Sequence, residues 1–335
     1  MAKLKDWNPE YSLYVREVSI LFKRSPGIMP PPKDFVKELP DTLASILSRI
    51  SSSSTRLSKM AFNTDQHTVH SFKKAFARAQ HQHRDQRPGT GTTDETTGTL
   101  LSLSFPTVIC LTVGPYNEFI VQHCPNIRHI SDVPHSVWGG NIGHAREHIM
   151  NLIEEARKIE NLESFVIREA LTEELMNALY SSIPRIKTLA ILRHSILYMS
   201  FEDFVSTHLS RFRHLRILSI PDVSHLDVGY SPPQWGGFSP RPDADEIRKR
   251  IDEGKQARER VARAIFEACP LLKELWFEDR IRASVKAKGG TGVGDVEKAV
   301  NSNTRTRELA FSKGRNDCDC EPPTFMFLSM CADFS

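Results

Sequence analysis

The sequence contains no run of about 18 apolar residues, the length a membrane-spanning helix needs. The opening "MAKLKDWNPEYS" has no apolar core of the secretory type. The expectations are a chain without a membrane partner and an intracellular location, cytoplasmic or nuclear. Charge of one sign is also scarce: 44 Lys and Arg against 41 Asp and Glu give a net charge of +3. That balance lacks the concentrated basic face of a nucleic-acid binder, so no nucleic-acid partner is expected. The six cysteines, at 110, 124, 269, 318, 320 and 331, form no C-x-x-C pair and read as free thiols in a reducing compartment. The glycine-rich "GGTGVGD" at Gly289 to Asp295 lacks the lysine-serine of a phosphate-binding loop and reads as a plain loop.

A recurring pattern takes the place of these signatures. Written φ-x-x-φ-x-φ with φ apolar, it runs through Val15, Val18, Ile20 and through Leu57, Met60, Phe62. It returns as Val108, Leu111, Val113, as Leu162, Phe165, Ile167 and as Ile186, Leu189, Ile191. The last copies are Leu215, Leu218, Ile220 and Leu272, Leu275, Phe277. Ile127 and Ile130 begin a further copy, whose third place is occupied by Asp132. The starts at 162, 186 and 215 are 24 and 29 residues apart, in or near the leucine-rich-repeat range. Each copy is short and bounded by polar residues or proline, as a strand is. Helical periodicity fills the intervals. "LTEELMNALYSSIP" has Thr172 as N-cap, "SFEDFVSTHLSRF" has Ser200 and Asp203 in capping-box spacing, and "AREHIMNLIEEARKI" and "DADEIRKRIDEGKQARERVARAIFEAC" carry apolar stripes. Strand and helix in alternation predict an α/β fold, a leucine-rich-repeat-like solenoid with parallel strands on one side and helices on the other. The predicted domain spans residues 1–283, with a flexible linker near 84–99; residues 284–335 are expected to be a disordered or peripheral tail.

The units "CPNIRHIS", "NLESFVI", "IPRIKTLAI", "FRHLRILSI" and "CPLLKELWF" resemble the degenerate repeats of fungal F-box/leucine-rich-repeat-like proteins. The resemblance covers roughly Tyr11 to Ala283 and implies substrate recognition for a cullin–RING ubiquitin ligase, with N-terminal F-box helices docking on the ligase's linker subunit. Val15, Val18 and Ile20 already form a repeat strand, so the F-box is absent or degenerate. "ELPDTLASILSRI", Glu38 to Ile50, has a Leu-Pro start but sits inside the repeat series and reads as a repeat helix.

The expected function is a non-enzymatic protein-binding scaffold that needs no cofactor and takes a protein partner or a ligase substrate. Alternation sends the residues between the φ positions to the open sheet face. There Arg168, Leu192, Ile217, Glu274 and Trp276 are the candidate partner contacts, an aromatic centre with a charged rim. The other reading of this face is that loops or the tail cover it. Two Trp-Gly-Gly loops, at Trp138 and Trp235, follow strands and are expected along one rim. The enzymatic alternative is a zinc-dependent hydrolase on "HAREH". His144 and His148, one helical turn apart, would share the metal, with Glu147 as general base. The plainer reading of that segment is a solvated helix face.

Overall fold

A computed structural model describes residues 14–21, 33–53, 56–64, 66–85, 103–133, 142–192, 198–230, 243–278, 281–285 and 309–313. The chain divides into two compact units, meeting in sequence between Arg168 and Glu169. Among the described residues the first holds five strands: β1 (Glu17–Leu21), β2 (Lys59–Asn63), β3 (Cys110–Val113), β4 (His129–Asp132) and β5 (Ser164–Ile167). They pair in parallel in that order. Helix α1 (Lys33–Ser53) follows β1 and α2 (Gln66–Asp85) follows β2. A 3-10 turn (Glu118–His123) follows β3, and α3 (Ile142–Ala156) follows β4.

The second unit opens with α4 (Glu173–Ser182) and β6 (Thr188–Ile191). A helical stretch then passes from one α turn (Phe201–Asp203) through a π turn (Phe204–His208) to a 3-10 turn (Leu209–Arg211). It leads into β7 (Ile217–Ile220), the long α5 (Ala244–Ala268) and β8 (Glu274–Phe277). Strands β6, β7 and β8 are parallel, and β9 (Ile281–Val285) and β10 (Leu309–Lys313) continue the sheet antiparallel. Each of the first eight strands thus falls on a copy of the φ pattern. β9 and β10 lie at and beyond residue 283, where the sequence suggested only a tail. They carry no φ-x-x-φ-x-φ repeat, and an antiparallel edge needs none. The linker expected near 84–99 overlaps the end of α2, which runs to Asp85; residues 86–99 lie outside the described residues.

The φ positions are the core. Val18, Met60, Leu111, Ile130 and Phe165 sit opposite one another across the strands of the first unit and are all buried. Leu189, Leu218 and Leu275 do the same in the second and have no exposed surface. Residues between them in the strands are mostly half-buried, as a period of two requires. In the first unit the Phe62 ring meets Phe72, Phe76 and Phe119 edge-on at 5.5, 5.8 and 5.9 Å between centroids, a geometry favoured by the ring quadrupoles.

Several of the parallel strands are entered in the same way. A turn bond closes three residues back from the first φ: Val108 N–H to Phe105 O, Ile127 to Cys124, Ile186 to Ile183, Leu215 to Phe212 and Leu272 to Cys269. One carbonyl of the preceding strand then accepts two successive amides. Arg16 O takes Ser58 and Lys59, Ser58 O takes Ile109 and Cys110, and Ile109 O takes Arg128 and His129. Lys187 O takes Arg216 and Ile217, and Arg216 O takes Lys273 and Glu274. The cysteines of "CPNIRHIS" and "CPLLKELWF" therefore fill equivalent places, and burial pushes the thiol pKa of both upward, Cys269 to about 11.

The caps at Thr172 and Ser200 follow the sequence signals, and Asp243 supplies a further one. Thr172 Oγ1 accepts from Leu175 N at 3.2 Å, and Asp243 Oδ1 from Glu246 N at 2.7 Å. Ser200 Oγ accepts from Asp203 N at 3.0 Å and donates to Asp203 Oδ2 at 2.6 Å. On α5 the apolar stripe is buried only from Gly254 onward; Ile247 and Ile251, which the periodicity placed with the core residues, are exposed.

Candidate functional site

Polar groups gather in the first unit at the C-terminal ends of its strands, the edge where parallel sheets commonly bind ligands. β3 ends in Gly114-Pro115-Tyr116-Asn117. Gly114 N–H bonds Phe62 O at 2.8 Å, and the Asn63 side chain lies so close to the Gly114 Cα that a Cβ there would overlap it. Only glycine fits. Asn117 has no exposed surface. Its Nδ2 donates to Thr64 O at 3.1 Å and to Pro115 O at 2.5 Å, and its Oδ1 accepts from Thr64 Oγ1 at 2.6 Å. Tyr116 takes a left-handed backbone, φ 66°, and its N–H is held by Glu118 Oε1 at 3.2 Å. The same carboxylate oxygen lies 2.5 Å from Nδ1 of His148 on α3. Burial raises the Tyr116 pKa, helped by the charges of Glu147 and Glu118.

Beside this turn Asp132 occupies the third φ place of β4 and is 1% exposed. Its Oδ2 accepts from Arg168 N at 2.8 Å, and its Oδ1 from Arg168 Nη1 at 3.0 Å. Arg168 Nη1 also donates to Ser131 Oγ at 2.7 Å and to the Asp132 carbonyl. Desolvation lifts the Asp132 pKa to about 6, although Arg168 and His148 pull it down. Burial is therefore the largest influence on this carboxyl, and the arginine offsets only part of it. Asp132, Glu118 and His148 of this network are all buried. The sequence signal for it was Asp132 breaking the apolar pattern. Glu118 and Asn117 gave none, because a 3-10 turn has no distinctive period.

The expected partner contacts separate differently from the sequence reading. Arg168 is folded onto Asp132 and does not stand out as a free rim charge. Leu192, Ile217 and Glu274 are half-buried, as an accessible sheet face allows. Trp276 is only 6% exposed, which corrects its assignment as an open anchor. β9 extends the sheet past β8 and sets Arg282 opposite Trp276. The guanidinium lies 5.7 Å from the ring centroid and also bonds Glu274, which accepts from Trp276 Nε1 at 3.2 Å. Trp138 and Trp235 lie outside the described residues.

The "HAREH" helix forms, but its histidines do not share a solvent face as far as they are described. Glu147 is exposed while His148 is 2% exposed and committed to Glu118; the side chain of His144 lies outside the described residues. The solvated-face reading fails for His148 as well. Among the described residues no group of three or more His, Cys, Asp or Glu side chains is placed to hold a metal ion. No described helix is long and apolar enough to cross a membrane. No family model matches the chain, and no curated protein is significantly similar to it.

Proposed function

We propose that this chain is a non-enzymatic protein-binding scaffold, a leucine-rich-repeat-like solenoid that takes a protein partner on its half-buried strand face. The observation that carries the reading is the strand entry that recurs unit after unit, a turn bond followed by one carbonyl shared between two amides. Recurrence of one unit is what a repeat scaffold requires, and such scaffolds bind along an extended face. Within the second unit, Ile217 is apolar and half-buried where the alternation calls for a solvated residue, between Thr188 and Glu274 on the neighbouring strands. Ile217 and Leu192 are the contacts on which this reading rests.

The specific form implied by the resemblance is substrate recognition for a cullin–RING ligase. The segment with the Leu-Pro start does not favour docking through it: Leu39, Leu43, Leu47 and Ile50 of α1 are buried within the first unit, leaving that apolar stripe no surface to offer. Two experiments test the proposal. Proximity labelling with wild type and Ile217→Arg should lose one partner in the variant, at an unchanged melting temperature; a partner set unaffected by the substitution contradicts the reading. Co-expression with the ligase's linker subunit decides the narrower role, for which a stable complex is required. A stoichiometric zinc in purified protein, lost on His148→Ala, would instead favour the hydrolase.

A further inference from the structure

We infer that the strand-entry rim of the second unit is a binding surface for an acidic protein segment. The inference rests on the scaffold reading and names the chemistry of its partner. The shared-carbonyl stack fixes where three side chains stand. Arg216 N and Ile217 N donate to Lys187 O at 2.7 and 3.1 Å, and Lys273 N and Glu274 N donate to Arg216 O at 2.7 and 3.1 Å. Lys187, Arg216 and Lys273 therefore occupy one position on three adjacent strands, about 4.8 Å apart. All three are exposed, as are Arg185, Arg213 and His214 in the turns just before them. Arg185, Arg213, Arg216 and Lys273 form no ion pair with another described residue.

The fold itself offsets only part of this charge. Helices α4 and α5 end at the same rim, at Ser182 and Ala268, and a helix C-terminus carries roughly half a negative charge. Glu267 is exposed in the last turn of α5, and Glu274 is tied to Arg282. Leaving Lys187 out of the count, the four cations Arg185, Arg213, Arg216 and Lys273 against Glu267 and two helix ends leave an excess of about two positive charges.

The form of the patch selects the partner. It spans three strands, about 10 Å, and belongs to a chain of net charge +3. Among the described residues no aromatic side chain stands between these cations to stack a base, as single-stranded nucleic-acid sites have. Leu271, 56% exposed, occupies in the third repeat the place held by Arg185 and His214 in the first two. A column of cations ending on an exposed leucine suits an extended Asp- and Glu-rich peptide that also carries an apolar side chain.

The test is fluorescence anisotropy on the full chain with a labelled peptide of about a dozen alternating acidic residues and one leucine. An acidic peptide without the leucine and a single-stranded oligonucleotide of equal length are the comparators. The leucine-bearing peptide should bind best, and raising salt from about 50 to 300 mM should weaken it. Arg216→Glu with Lys273→Glu should reduce affinity about tenfold or more, as should Arg216→Gln with Lys273→Gln to a smaller degree, at an unchanged melting temperature. Absence of peptide binding, indifference to both double variants, or tighter binding of the oligonucleotide would overturn the inference. Loss of a native partner in Ile217→Arg alongside any of these results would leave the scaffold standing and remove only the rim.

Discussion

Asp132→Asn isolates the cost of placing a carboxylate in the apolar ladder of β4. The side chain is 1% exposed and its pKa stands at about 6, against about 3.9 for a solvated aspartate. The folded chain thus holds this proton more tightly than the unfolded chain does. Its contribution to stability is complete below about pH 3.9 and is lost as pH rises through about 6, a difference of about 3 kcal/mol. Asparagine keeps an oxygen for the Arg168 N–H and removes the buried charge, at the expense of the ion pair to Nη1. Urea unfolding should find the variant more stable than wild type by about 1–3 kcal/mol at pH 8, with the gap closing by pH 4. Arg168→Ala should do the opposite. It leaves the carboxylate buried and unpaired, costing about 3–5 kcal/mol at pH 8, and acidification should restore much of that loss. If Asp132→Asn destabilises the chain at pH 8 and the deficit persists on acidification, the pairing outweighs desolvation and the reasoning is wrong.

Gly114→Ala should destabilise strongly, because its methyl collides with the Asn63 side chain. Asn63→Ala in the same chain should relieve part of the loss, and thermal melts that show no relief would place the strain elsewhere. Trp276→Ala should lower stability by about 3–5 kcal/mol, as for a buried aromatic; an unchanged melt would return Trp276 to the open face. Thr172→Ala should cost about 1 kcal/mol through loss of the α4 cap, read by chemical denaturation. Leu189→Ala, Leu218→Ala and Leu275→Ala should each cost about 2–5 kcal/mol, and neutral melts for all three would refute the strand register.

The core was legible because burial on one sheet face imposes a period that survives degenerate sequence. Every φ residue from Val18 to Phe277 that a strand carries is buried, and even the exception was visible, since Asp132 stood out as the residue that did not fit. The partner of that exception was not legible. Arg168 was assigned to the open face by alternation alone, whereas an arginine long enough to fold back satisfies the buried carboxylate first. Trp276 failed for a related reason. Alternation states which face a residue takes but not what extends the sheet beyond it, and β9 brings Arg282 alongside by an antiparallel pairing that leaves no repeat signature. On α5 the apolar spacing of Ile247 and Ile251 matched the buried turns, yet periodicity cannot tell how far along a helix its neighbours reach.

Backbone hydrogen exchange of Leu218→Ala against wild type tests the repeat scaffold most directly. In a repeat array stability is shared between nearest neighbours, so a cavity in β7 should raise exchange in β6, β7 and β8 together, while amides of the first unit, such as those of β2, change least. Exchange that rises in β7 alone, or uniformly across the chain, would contradict a stack of coupled repeats.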